Sequence, residues 1–193
     1  MSDNIIIIGS STGGPKILND MFISLPALNA AIIIVQHVPV LFDKAIADRL
    51  DELSRFNVKL AEHGDILKSG TAYVAQAKRH LKLKLNSRIE IVEEAKVNCC
   101  CPSVDVTMMS LEKNRSGKII GVILTGLGRD GADGISHIKS IGGTTYAQDE
   151  ETCTIFGMPK AAIDTGKVDH IFSPDVICEN LIRAVGERKF KII

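Results

Sequence analysis

The 193-residue sequence has no tryptophan and only two tyrosines, which leaves an aliphatic core to form, as in α/β proteins, and no aromatic cluster on which a cofactor ring could stack. It also lacks an excess of either charge. Lysine and arginine total 23 and so do aspartate and glutamate, so no global field draws the chain to nucleic acid or to anionic lipid. No apolar run approaches the ~20 residues that span a membrane, and Met1-Ser2-Asp3-Asn4 has neither the basic start nor the apolar core of a signal peptide. The expectation is a cytoplasmic protein with no membrane insertion. Among five cysteines there is no C-x-x-C spacing: Cys99, Cys100 and Cys101 are consecutive, and Cys153 and Cys178 stand apart. An odd total argues against a disulfide framework, and adjacent thiols converge poorly on one tetrahedral ion. Reduced thiols, no metal and no cofactor are expected.

The most informative stretch is 5–15, Ile-Ile-Ile-Ile-Gly-Ser-Ser-Thr-Gly-Gly-Pro. Four β-branched residues without polar alternation predict a strand covered on both faces of a parallel sheet. Gly9, Gly13 and Gly14 permit a sharp turn, and Pro15 suits the first turn of a helix. Gly9-Ser10-Ser11-Thr12-Gly13 fits the G-x-S-x-G elbow, whose small neighbours let a serine oxygen stand clear near helix N–H groups. The competing explanation is that glycines serve packing and Ser or Thr merely caps the helix.

Further along, 31–35 (Ala-Ile-Ile-Ile-Val) is a second buried strand, with Gln36-His37-Val38-Pro39 after it. His37 thus lies past the carboxyl end of its strand, as Ser11 does past the first, and ligands of open α/β sheets bind outside those ends. Residues 42–53 have the spacing of a covering helix. From 57 to 97 the texture changes to short alternating pieces, 58–60, 71–75, 81–85 and 88–92, read as decoration on the main sheet. The last two form a hairpin around Asn86-Ser87, its lysines facing Glu90. Ser103 is a candidate cap for a helix through 106–111. Alternation then returns: a strand at 118–125, a glycine-rich turn and helix to 141, a strand at 144–147, a helix from Pro159, a strand near 170–172 and a helix to 185. The expected fold is a doubly wound, mostly parallel α/β sheet flanked by helices, with an antiparallel hairpin insertion, in one domain over 1–193.

Asp130, after the 118–125 strand, supplies a carboxylate on the same rim. A serine, an imidazole and a carboxylate are the parts of a triad, which is defined by geometry and not by chain order. By spacing alone Asp105 or Asp133 could replace Asp130. His63 and His80 are weaker alternatives to His37, and His137 and His170 read as structural. A rival comes from another class. Gly126-Leu-Gly-Arg-Asp-Gly131 is literally G-x-G-x-x-G after a strand, the outline of a dinucleotide site, although Asp130 would then face a pyrophosphate at a helix N-terminus.

Several ordered blocks together resemble one family, the catalytic domain of the chemotaxis protein-glutamate methylesterases (CheB). They are Ile8-Gly-Ser-Ser-Thr-Gly-Gly-Pro15, Gln36-His-Val-Pro39, Pro102-Ser-Val-Asp-Val106, Gly121-Val-Ile-Leu-Thr-Gly-Leu-Gly-Arg-Asp-Gly131 and Phe156-Gly-Met-Pro159. The resemblance implies Ser11 as nucleophile, His37 as general base and then acid, and Asp130 as the orienting carboxylate. It implies Thr12 as a helper and the N–H groups of His37 and Leu127 as oxyanion donors. It further implies hydrolysis of glutamate γ-methyl esters on the cytoplasmic helices of chemoreceptors, with glutamine deamidation as a related activity. Three departures accompany it. No receiver segment precedes residue 1, so a separate regulatory protein is an expected partner. Cys101 stands where the family commonly has arginine, and 76–80 (Gln-Ala-Lys-Arg-His) lacks the usual proline. A non-catalytic interaction module on the same fold is the alternative.

Overall fold

The computed structural model describes residues 2–112 and 116–188. Along the chain run β1 (Ile5–Ser10), α1 (Gly14–Ser24), β2 (Ala31–Gln36), α2 (Phe42–Leu53), β3 (Asn57–Leu60), β4 (Thr71–Val74), β5 (His80–Leu83) and β6 (Ile89–Val92). They are followed by α3 (Val104–Met109), β7 (Ile119–Ile123), α4 (Ala132–Ser140), β8 (Thr144–Gln148), α5 (Met158–Asp164), β9 (His170–Phe172) and α6 (Pro174–Val185). Seven strands form a parallel sheet in the order β3-β4-β2-β1-β7-β8-β9, and β5 pairs with β6 antiparallel in a second sheet.

Side chains alternate across a strand, so the isoleucine run feeds two cores at once. Ile6 and Ile8 join Leu18, Phe22, Leu50 and Leu181 on the face covered by α1, α2 and α6. Ile5 and Ile7 join Met108, Ile135 and Met158 on the face covered by α3, α4 and α5, where Leu81, Leu83 and Ile89 of the hairpin also pack. Every residue of β1 and β2 is buried, which explains the absence of polar alternation there. The expected doubly wound sheet and hairpin are both present.

One expectation needs correction. The pieces at 58–60 and 71–75 are not decoration but parallel strands that extend the main sheet, β4 beside β2 and β3 at the edge. β3 is short and only Val58 in it is buried, so its one wet face produces the alternation that otherwise marks a hairpin. In the true hairpin Lys82 faces Glu90 in register, but the ion pairs run from Lys84 to Glu90 and from Lys82 to Glu94. Such exposed pairs contribute little to stability, about 0–1 kcal/mol.

β1 is flanked by β2 on one side and β7 on the other. The chain leaves β1 in one direction and returns in the other, which opens a crevice outside the strands' carboxyl ends. Among the described residues no helix is long and apolar enough to cross a membrane.

Candidate active site

Ser11 sits directly beyond β1, and its backbone is held from three sides. Its N–H donates to Thr125 O (3.0 Å), while its carbonyl accepts from Gly14 N (2.9 Å) and from the Gln36 side-chain amide (2.9 Å). The same Gln36 amide nitrogen donates to His37 O (3.0 Å), and Gln36 Oε1 accepts from Ser10 Oγ (2.6 Å). One buried glutamine therefore ties the serine turn to the backbone of the histidine. The glycines make room for this clamp: a Cβ on Gly14 would lie 2.1 Å from Gln36 Oε1, and one on Gly126 would lie 2.8 Å from Ser11 Cβ. Helix α1 is capped by Gly13 with no side-chain hydrogen bond, so neither Ser11 nor Thr12 is there as a cap.

His37 follows β2, and its Nε2 lies 2.8 Å from Asp130 Oδ2. The Asp130 oxygens are fully engaged. Oδ2 also accepts from Val104 N (2.7 Å), and Oδ1 accepts from Ser103 Oγ (2.7 Å) and Asp105 N (3.1 Å). Burial by itself would raise this carboxyl, but the hydrogen bonds from His37, Ser103 and the two amides outweigh it and hold Asp130 below the usual carboxylate range. An ionised carboxylate only accepts, so His37 carries its proton on Nε2, and Nδ1 is left as the basic nitrogen of the neutral ring.

The turn that supplies these donors is built by residues whose roles are not visible in their spacing. Ser103 caps α3, its Oγ accepting from Val106 N (3.3 Å) while donating to Asp130. His80 is fully buried. Its Nδ1 accepts from Ser103 N (3.2 Å) and its Nε2 donates to Ala95 O (3.0 Å), so it props the Ser103 turn from behind. Asp105 accepts from Gly131 N (2.9 Å) and Gly134 N (2.7 Å) at the start of α4, and from Asn98 Nδ2 (2.6 Å). Burial, reinforced by the charge of Asp130, outweighs those amides and pushes the Asp105 carboxyl up to about 6. A raised folded-state value means that the folded chain holds the proton where the unfolded chain, near 3.9, has released it. Stability from this group is therefore present at low pH and is lost as pH rises through about 6. Urea unfolding between pH 4 and pH 7 is expected to show a steeper fall in wild type than in Asp105→Asn, by on the order of 1–3 kcal/mol over that range. Equal slopes would contradict it.

The structure brings His37 and Asp130 into contact and places Ser11 on the same rim. Among the described residues no hydrogen bond joins Ser11 Oγ to the imidazole. The neighbour of Nδ1 is instead Cys100, whose Sγ lies 3.6 Å away and is also 3.3 Å from Asn98 O. Burial first, and then the charge of Asp130, push the Cys100 thiol up to about 11. A cavity of about 550 Å³ opens beside the ring, lined by His37, Pro39, Lys96 and all three consecutive cysteines. Of the expected oxyanion donors, the His37 N–H is already spent on Ser10 O (3.0 Å). The Leu127 N–H donates to no partner among the described residues, and its side chain is 72% exposed on the rim. Thr12 is exposed, and its carbonyl accepts from the buried Thr125 hydroxyl (2.9 Å).

The other candidates fall elsewhere. Asp133 pairs with Arg129 at the surface, His63 is exposed, His137 bonds to Leu111 O (2.7 Å), and His170 stacks between Tyr146 and Phe172. The dinucleotide outline at 126–131 also fails on physical grounds. The amides of Gly131 and Gly134, which a pyrophosphate would need, are taken by the Asp105 carboxylate.

Few chemistries call for a buried carboxylate with every lone pair committed to steadying one imidazole beside a strand-to-helix serine. The class of protein that this fold and rim fit is that of the α/β serine hydrolases. Comparison with known proteins narrows the class. The family model for CheB methylesterase matches residues 6–181. A Clostridium acetobutylicum protein-glutamate methylesterase/protein-glutamine glutaminase is 41% identical over 95% of this chain and 54% of its own length. The protein of the same name from Archaeoglobus fulgidus is 43% identical over 94% of this chain and 53% of its own length. The crystal structure of the Thermotoga maritima CheB methylesterase catalytic domain superposes with a TM-score of 0.90 at 42% identity, covering 96% of this chain and all of that one. The chain belongs to the CheB methylesterase family. It spans about half the length of the curated relatives it matches.

Proposed function

We infer that this chain is the catalytic domain of a protein-glutamate methylesterase, acting in the cytoplasm on the methylated helices of chemoreceptors. The observation that carries the reading is the 2.8 Å pair between His37 and a fully engaged Asp130, at the switch point where a CheB-family chain also presents Ser11. In this mechanism Ser11 Oγ attacks the ester carbonyl and gives its proton to His37 Nδ1, while Asp130 steadies the imidazolium. The tetrahedral oxygen takes the Leu127 N–H. Collapse expels methoxide, which leaves as methanol with the proton from Nδ1. Water then attacks the acyl-enzyme with His37 again as base, freeing the glutamate carboxylate and restoring Ser11. The reaction requires Ser11 Oγ to come within hydrogen-bond reach of Nδ1 in the substrate complex, where catalytic hydrogen bonds commonly tighten. A γ-carboxamide has the same acyl geometry, so glutamine deamidation, part of the relatives' name, follows from the same steps with ammonia as leaving group.

The test is release of methanol from chemoreceptor cytoplasmic fragments carrying methylated glutamates. Release with saturation kinetics is expected. A folded protein that binds these fragments without releasing methanol would make it an interaction module instead.

A further inference from the structure

We propose that His37 Nδ1 and Cys100 Sγ form a binding site for a thiophilic divalent metal ion such as Zn²⁺, which on binding takes the basic nitrogen out of the hydrolytic reaction. Three observations converge on it. The two atoms are 3.6 Å apart. With Zn–S near 2.3 Å and Zn–N near 2.0–2.1 Å, a tetrahedral ion holds its sulfur and nitrogen ligands about 3.5–3.6 Å apart, so the pair is at ligand spacing without rearrangement.

The second observation is the support behind the ring. Reactive atoms of His37, Cys100 and Asp130 all lie within 4.8 Å of one another. Asp130 already accepts four hydrogen bonds, one of them from His37 Nε2, and so has no lone pair left for an ion. It instead fixes the tautomer that presents Nδ1, the carboxylate–histidine arrangement that orients imidazole ligands and raises their basicity. The third is access. The cavity beside the ring admits an ion from solvent, and since the adjacent thiols of Cys99 and Cys101 converge poorly with Cys100 on one ion, water from the cavity completes the coordination. The cations facing the cavity are Lys78 and Lys96. Its carboxylate, Glu94, is paired with Lys82.

The step balances simply. The Cys100 thiol loses its proton to solvent, the thiolate and the Nδ1 lone pair each fill one coordination position, and a chelator with a proton reverses it. While the ion is bound, Nδ1 cannot accept the Ser11 proton.

The site rests on the same histidine as the proposed function, so its test is read without turnover. Co²⁺ added to metal-free protein is expected to give a near-ultraviolet thiolate-to-cobalt charge-transfer band that saturates at one equivalent. The band should vanish in both Cys100→Ala and Cys100→Ser, and persist in the Cys99→Ala/Cys101→Ala double variant. In Asp130→Asn the affinity should weaken about 10–100-fold, the usual effect of losing such a support. In the methylesterase assay Zn²⁺ should inhibit wild type reversibly and leave Cys100→Ala uninhibited. A band that survives in both Cys100 variants, no band in wild type, or equal Zn²⁺ sensitivity of wild type and Cys100→Ala would overturn the proposal. A protein that gives the band but releases no methanol refutes the methylesterase reading and leaves the metal site standing.

Discussion

Ser11→Ala is expected to lose methanol release by as much as about 10⁶-fold in kcat, the scale seen when the nucleophile of a comparable triad is removed. The fold should not change with it. Ser11 Oγ accepts and donates no hydrogen bond among the described residues, while the turn is held through backbone atoms that alanine keeps: Ser11 N to Thr125 O, and Ser11 O to Gly14 N and Gln36 Nε2. The urea midpoint should therefore stay within about 0.5 kcal/mol of wild type, as for substitutions away from structural features. Loss of activity and retention of stability together separate a chemical role from a structural one. Substantial activity in this variant would hand the nucleophile's role to another group, and Cys100, 3.6 Å from Nδ1, would be the first to examine.

Asp130→Asn has the second largest expected effect, and unlike the first it reaches both rate and stability. The amide is the same size but replaces one acceptor oxygen by an NH₂, in a site where all four neighbouring groups donate. The ring would lose the charge that steadies imidazolium and the bond that sets its tautomer, a loss of about 10⁴-fold in kcat in comparable triads. Each buried donor left without an acceptor costs about 1–3 kcal/mol. The sign of the pH dependence follows from the lowered folded value of Asp130. Its stabilisation is present above the unfolded carboxyl value, near 3.9, and is lost as pH falls through the folded one. The stability gap between wild type and Asp130→Asn should accordingly be wide at neutral pH and narrow in strong acid. Chemical denaturation across that range checks it, and a gap independent of pH would contradict it.

Much of the fold was legible in the sequence because burial leaves a plain signature. The strands at 5–8, 31–35 and 118–125 read as continuous apolar runs, and those runs are β1, β2 and β7 at the centre of the sheet. Topology alone then put Ser11, His37 and Asp130 on one rim. What stayed hidden depends on side-chain direction, which spacing does not encode. Asp105, Asp130 and Asp133 are alike as letters. The family resemblance singles out Asp130 where spacing does not, and the packed turn gives the physical reason: Asp105 caps α4, Asp133 pairs with Arg129, and Asp130 turns inward to His37. The buried clamps made by Gln36 and His80 are hidden for the same reason, because they depend on partners 25 and 23 residues away. Spacing within the cysteine run points to no metal, whereas the ligand-like partner of Cys100 is His37, 63 residues distant. β3 is hard to place for a related reason: a short edge strand carries a half-wet pattern whichever way it pairs, and β4, although buried throughout, is only four residues long and does not declare its partner.

The most direct test of the central claim is to label the protein with an activated phosphonate ester, which phosphonylates a serine only when a neighbouring base takes its proton, and to locate the adduct by peptide mass spectrometry. The account predicts one adduct, on Ser11, formed by wild type and strongly suppressed in His37→Gln and Asp130→Asn. An adduct on Cys100, or labelling of Ser11 that proceeds equally well without His37 and Asp130, would contradict it.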